Sequence, residues 1–216
     1  MERLICLGIG YVLGLFQTSY IYGKIHNTDI REHGSGNAGT TNALRTFGVK
    51  AGLLTFLGDF AKAILAALLV SLIFKNLGYS YVRVLEMYAG LGAVLGHVFP
   101  FYLHFKGGKG VASTAGLMII IDTKITLLMM LTFIIISLTT KYVSLASLTA
   151  TILLTIVVTI AGFNGYLDVS NEYLYEIIAI TVILMLIIIF KHRGNIKKLL
   201  NGTENKLNLS KHSQGE

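Results

Sequence analysis

Leu174-Tyr-Glu-Ile-Ile-Ala-Ile-Thr-Val-Ile-Leu-Met-Leu-Ile-Ile-Ile-Phe190 carries a single charge, Glu176, in an otherwise apolar run. A bilayer core about 30 Å thick needs about 20 apolar residues in a helix, and this run comes close. Leu4–Tyr22 and Val143–Gly162 approach the same length with no charge at all. Over the whole chain 13% of residues are charged and 54% apolar, with a mean hydropathy of +0.69. Soluble domains carry roughly 25% charged residues, so the supply for a wetted surface is half the usual one. The chain reads as an all-α integral membrane protein.

Working outward from that run, seven candidate spans follow in order: Leu4–Tyr22, Ala51–Phe74, Leu85–Leu103, Val111–Ile121, Ile125–Leu138, Val143–Gly162 and Leu174–Phe190. The fourth is too short to cross alone at about 1.5 Å per residue. It is either a half-helix or the first part of one kinked segment, and Asp122 and Lys124 favour two pieces with a turn. The first span begins Met-Glu-Arg and reaches Tyr22 without a small-residue cleavage site, so it reads as retained. The lone Cys6 has no partner for an internal disulfide.

Orientation follows from Lys and Arg. With seven spans, thirteen of the eighteen fall in four segments on one side: Lys24–Lys50, His104–Gly110, Thr139–Tyr142 and the tail from Lys191. Only Arg3, Lys75, Arg83 and Lys124 fall on the other, and Lys62 lies inside a span. The basic side is therefore expected to be cytoplasmic, with the N-terminus outside and the C-terminus inside. In so apolar a chain the net charge of +7 reflects this bias and attraction to anionic lipid rather than nucleic acid.

Three polar stretches land on that basic side. The first is Gly34-Ser-Gly-Asn-Ala-Gly-Thr-Thr-Asn-Ala-Leu-Arg45. If Thr40–Phe47 is helical, Thr41 and Arg45 share a face, its free amides favour phosphate, and Gly48 ends it. The second is Gly96-His-Val-Phe-Pro-Phe-Tyr-Leu-His-Phe-Lys-Gly-Gly-Lys-Gly110. Pro100 should end the third span. The Gly-rich turn before a short apolar helix has the ingredients of an anion cradle. Lys106 and Lys109 are both candidate ligands, with Lys109 preferred because glycines flank it on both sides. It does not match a nucleotide P-loop. The third is Lys191-His-Arg-Gly-Asn195, where the helix dipole should hold His192 more cationic. Each stretch alone is also compatible with an ordinary loop or basic membrane edge.

Within the spans, Asp59 and Lys62 share a helix face and read as a mutual pair. His97 is suited either to line a site or to bond a backbone carbonyl, and the second reading is preferred. Metal-ligand spacing, G-x-S-x-G and the H-x-x-x-x-D pattern of other glycerolipid acyltransferases do not occur, and Asp29 and Glu32 lie outside the dense motif. A transporter of a phosphorylated solute would use similar loops, but no second copy of either Gly-rich pattern exists. A non-catalytic scaffold leaves three anion-suited motifs on one face unexplained.

Taken together, the three stretches resemble the PlsY family, the acyl-phosphate-dependent glycerol-3-phosphate acyltransferases of bacteria. The matching residues are Ser35 through Arg45, Gly96-His-Val-Phe-Pro100 with Phe105 through Ala112, and His192-Arg-Gly-Asn195 through Glu204. Ser113 stands where Thr would be expected. The resemblance implies seven helices at the inner membrane, one transmembrane domain over 1–205, and motifs at the cytoplasmic face. Residues 206–216 read as a flexible cytoplasmic tail. It implies transfer of a fatty acyl group from acyl phosphate to glycerol 3-phosphate, giving 1-acyl-glycerol 3-phosphate and phosphate, with no cofactor and no metal. By resemblance, Ser35, Arg45, Lys109 and His192 form the catalytic phosphate site. Asn37, Thr41, Asn42 and Asn195 support it, Gly107, Gly108 and Gly110 bind substrate, and Glu204 holds the tail. Because acyl phosphate is an activated anhydride, either the substrate's own phosphate or His192 can serve as base. A covalent Ser35 intermediate lacks an activating neighbour.

Overall fold

Ten α-helices and two short 3-10 turns occupy residues 1–167 and 169–207, the part that the computed structural model describes. In chain order they are α1 (Glu2–Gly14), α2 (Thr18–Ile25), α3 (Thr40–Phe47), α4 (Val49–Asn76) and α5 (Val82–Val98). Then come α6 (Val111–Ile121), α7 (Thr123–Thr140), α8 (Val143–Phe163), α9 (Asn171–Lys191) and α10 (Arg193–Leu200). Among the described residues there is no strand. Most of the expected tail, 208–216, lies outside the described residues.

Among the described residues six helical units are long and apolar enough to cross a membrane: α1 with α2, α4, α5 with its following 3-10 turn, α7, α8 and α9. The predicted fourth segment forms as α6, 11 residues long, about 16 Å and half a bilayer core. Asp122 separates it from α7. Its extended backbone ends one helix, and its carboxylate accepts the Ile125 amide at 2.8 Å to cap the next.

The first predicted span is not continuous. At Leu15–Gln17 the backbone leaves the helix, with Gln17 extended. Released carbonyls at this depth must be paired inside the protein. The Leu15 carbonyl accepts from the Tyr102 hydroxyl at 2.7 Å, and the Phe16 carbonyl from Lys62 Nζ at 2.7 Å. The buried Gln17 carboxamide donates to the carbonyls of His97 and Gly96 at 3.0 and 3.2 Å.

Burial identifies the central helix. The apolar window of α5 is 78% buried and that of α7 only 22%, so α5 is the axis and α7 lies at the lipid boundary. Close approach of α1 to α5 depends on small residues: a Cβ on Gly10 would sit 1.8 Å from the Ala89 carbonyl oxygen. Glu176, the lone charge in the last apolar run, is bound bidentately by Arg3 at 2.7 Å and by Tyr88 at 3.1 Å.

Candidate active site

The loop before α3 is shaped by one side chain. Buried Asn42 accepts the Ser35 amide at 2.8 Å and donates to the carbonyls of His33 and Ile30 at 2.9 and 3.1 Å. Its polar atoms are spent on folding the loop. Upstream, Arg31 grips Asp29 at 2.7 and 3.0 Å and holds that carboxyl at about 2, leaving it a poor base. Helix α3 forms as the spacing predicts and ends at Gly48. Ser35, Asn37, Thr41 and Arg45 line a cavity of about 780 Å³.

The second motif meets the same cavity, with one difference from the expected cradle. The Gly107 and Gly108 amides are already bonded to the carbonyls of Val98 and His97, at 3.3 and 3.1 Å. Among the described residues the amides of Lys109 through Ser113 have no backbone acceptor, so free donors begin at Lys109 and continue into the first turn of α6. Gly110 has φ 91°, the left-handed conformation glycine tolerates best. Lys106 is exposed at the rim, whereas Lys109 turns inward and donates to the Asn195 carboxamide oxygen. Burial lowers the Lys109 ammonium to about 8, opposed in part by the Glu204 carboxylate.

The third motif completes the ring. Asn195 Nδ2 donates to Glu204 Oε1 at 2.8 Å, and the same oxygen accepts from the Ser144 hydroxyl at 3.0 Å. Lys109 can only donate and a carboxylate can only accept, so the Asn195 amide fits one way round. His192 is buried at the end of α9, its Nδ1 2.8 Å from the Ile188 carbonyl. The ring therefore donates from Nδ1 and presents Nε2 as an acceptor. The expectation of a cationic His192 is corrected here: burial, followed by the charge of Lys109, lowers it to about 4. Both outweigh the helix dipole.

The spacing within α4 made Asp59 and Lys62 a pair, and the two side chains meet at 2.9 Å. His97 departs from the expected carbonyl contact. Its Nδ1 lies 2.8 Å from Lys62 Nζ, and both Asp59 and His97 line the cavity. Beyond the motifs, the cavity continues between Phe56, Ala115, Met129, Phe133, Ser147 and Ala150. Sequence reasoning did not find these residues, because a cavity wall inside a bundle looks like any apolar helix face. The result is one space with a cationic, hydroxyl-rich end and an apolar end.

A family model described as glycerol-3-phosphate acyltransferase matches residues 4–202. The chain belongs to the glycerol-3-phosphate acyltransferase family. It is 40% identical over 208 residues to the glycerol-3-phosphate acyltransferase of Alkaliphilus metalliredigens, covering 96% of this chain and 97% of that one. Identity is again 40% over 208 residues with that of Clostridioides difficile, covering 94% of each chain. The fold resembles the crystal structure of PlsY, an integral membrane glycerol 3-phosphate acyltransferase, in its glycerol 3-phosphate form. The TM-score is 0.82 at 32% identity, over 96% of both chains. The lysophosphatidic acid form gives 0.81 at 32% identity over 97% of both. This glycerol-3-phosphate acyltransferase is thus a membrane-embedded enzyme of phospholipid synthesis, as the motif resemblance implied.

Proposed function

We propose that this acyltransferase takes its acyl group from a fatty acyl phosphate and works at the cytoplasmic face of a bacterial inner membrane. The observation that carries the reading is the continuity of the cavity. Its polar end offers Ser35, Arg45, Lys109 and His192 to phosphate and hydroxyl, while Met129, Phe133 and Ala150 offer an apolar wall to a fatty chain. A donor that joins a phosphate to an acyl chain fits both ends at once.

Arg45 and Lys109 offset the anionic charge, with Ser35, Asn37 and Thr41 as further polar contacts and Asn195 orienting Lys109. The Gly107–Gly110 turn supports the site, its free amides starting at Lys109. His192, neutral with Nε2 unprotonated, accepts a hydrogen bond from the attacking glycerol hydroxyl and orients it. Held at about 4, it is a weak base at neutral pH, so the proton passes to substrate phosphate. The oxygen then attacks the acyl carbon and the bond to the leaving phosphate breaks.

Charge distribution supports the orientation. Arg45, Lys109, Lys191 and Arg193 cluster about the cavity, while Arg3 pairs with Glu176 near the start of α9. The Arg83 guanidinium, near the start of α5, bonds the Ile120 carbonyl at the end of α6. This contact supports reading α6 as the part of a seventh crossing that runs from cavity depth to the far side, with the N-terminus outside.

The test is phosphate release by the purified protein from palmitoyl phosphate, with and without glycerol 3-phosphate. Release that requires glycerol 3-phosphate, with matching lysophosphatidate, is expected. Acylation from another donor with no reaction of palmitoyl phosphate overturns this assignment.

A further inference from the structure

Lys62 is a buried ammonium with three protons, and it has three acceptors: the Phe16 carbonyl at 2.7 Å, Asp59 Oδ1 at 2.9 Å and His97 Nδ1 at 2.8 Å. An ammonium donates and cannot accept. Its contact with His97 therefore requires a lone pair on Nδ1, which leaves the ring proton on Nε2. His97 is only 3% exposed, yet it lines the cavity. Among the described residues its side chain makes polar contacts only through Nδ1, with Lys62 and, at 3.5 Å, Asp59. An N–H donor thus remains unspent at the cavity wall.

Its position along the cavity gives it a target. The ring lies against Gly108, where an added Cβ would be 2.0 Å from Nε2, so it directly backs the loop that delivers Lys109. On the other side, Asp59 lies one turn from Phe56, which lines the cavity's apolar stretch along with Ala115. The His97–Asp59 pair thus lies between the Gly108 loop and Phe56, which we take as the junction of the polar and apolar ends. An acyl phosphate with its phosphate in one and its chain in the other places its carbonyl at this junction.

We propose that His97 is a further catalytic residue: its Nε2–H donates to the acyl carbonyl oxygen as negative charge develops there, while Lys62 and Asp59 act as positioning residues that fix its tautomer. The inference rests on the acyl-phosphate reading above. The glycerol oxygen forms a bond to the acyl carbon, and the carbonyl π pair moves onto oxygen beside His97. That pair then returns as the bond to phosphate breaks and phosphate leaves with its electrons. The hydroxyl proton goes to substrate phosphate, and His97 keeps its own proton throughout.

The test uses the full chain in nanodiscs with palmitoyl phosphate and glycerol 3-phosphate. Removing one such donor lowers kcat by about 100- to 1,000-fold. His97→Ala is expected to show that loss, with the separately measured Kd for glycerol 3-phosphate within about threefold of the parent. His97→Gln, which restores an N–H near the Nε2 position, should recover at least about tenfold of it. Independently of activity, 15N spectra of histidine-labelled protein, assigned with the His97→Gln spectrum, should show His97 protonated on Nε2. In Lys62→Met that preference should be lost and kcat should fall. Near-parental kcat in His97→Ala, no recovery in His97→Gln, or a proton on Nδ1 in the parent overturns the proposal. If the parent binds glycerol 3-phosphate but leaves palmitoyl phosphate intact, the donor assignment fails and the carbonyl role of His97 fails with it. The NMR result identifies that case, because the tautomer would still be Nε2–H.

Discussion

The Arg45 guanidinium donates to the backbone carbonyl of Asn205 at 3.2 Å, joining residues 160 positions apart. Two neighbouring contacts tie down the segment around Asn205, whose neighbour Glu204 lines the cavity. Glu204 is held by Asn195 and Ser144, and the Leu207 amide donates to the Lys141 carbonyl at 2.7 Å. Arg45 is thereby held in place at the cavity lining.

Arg45→Ala should lower kcat/KM for glycerol 3-phosphate by about 100-fold, since a charge-assisted hydrogen bond is worth about 1.5–3 kcal/mol. Arg45→Lys should recover only part, because an ammonium cannot reproduce a two-pronged contact. Steady-state kinetics with glycerol 3-phosphate varied checks both; equal activity of the Lys variant and the parent would contradict the fork.

Lys109 is protonated below about 8 and neutral above it in the unliganded protein. Phosphate needs the ammonium, so apparent affinity follows the protonated fraction. Kd for glycerol 3-phosphate should be flat below pH 8 and rise by about tenfold per pH unit above it. Glu204 raises this group, so Glu204→Gln should move the break to lower pH. Calorimetric titrations from pH 6.5 to 9.5 read both effects.

His192 is held at about 4 against an ordinary value of 6.5. Between those values the unfolded chain binds a proton that the folded chain refuses. Stability should therefore fall as pH drops from 6.5 towards 4. The fall should be shallower in His192→Gln, measured as Tm in detergent across that window. Turnover of the same variant at saturating substrate should drop without the pH optimum moving, which is what the proposed orienting role of His192 requires.

Asp59→Asn removes the negative partner of a buried ammonium. Such a loss costs about 3–5 kcal/mol, so Tm in detergent should fall by many degrees. Asp59→Asn with Lys62→Met should regain part of that, because the stranded charge is gone. A double variant no better than the single one would show that Lys62 draws little from the carboxylate.

The apolar runs, the Asp122 turn, helix α3 with its Gly48 stop and the three motif stretches were all legible in the sequence, because each depends on residues within a few positions. What escaped depends on partners far along the chain. Gln17 looks like any polar residue in a span until the carbonyls of Gly96 and His97 are beside it. His97 could not be paired with Lys62, 35 residues away, by any periodicity. For His192 the local rule, a helix dipole favouring charge, was sound but smaller than burial beside Lys109. In the Gly107–Gly108 turn, glycine content signalled close approach correctly. What comes close is the end of α5, and the free amides follow.

The interruption between α1 and α2 also bears on how the chain enters the membrane. Spans arrive in order, and α4 brings two formal charges into hydrocarbon. By then the Phe16 carbonyl from the preceding span is already available to Lys62, and the third acceptor comes with α5. Each arriving span thus supplies the partner that the previous one lacks. An α5 that docked in a wrong register would leave both an ammonium proton and the Gln17 amide stranded in lipid. The broken first span, α4 and α5 satisfy one another's polar groups in the observed register, and His97 at the cavity wall is part of that contact.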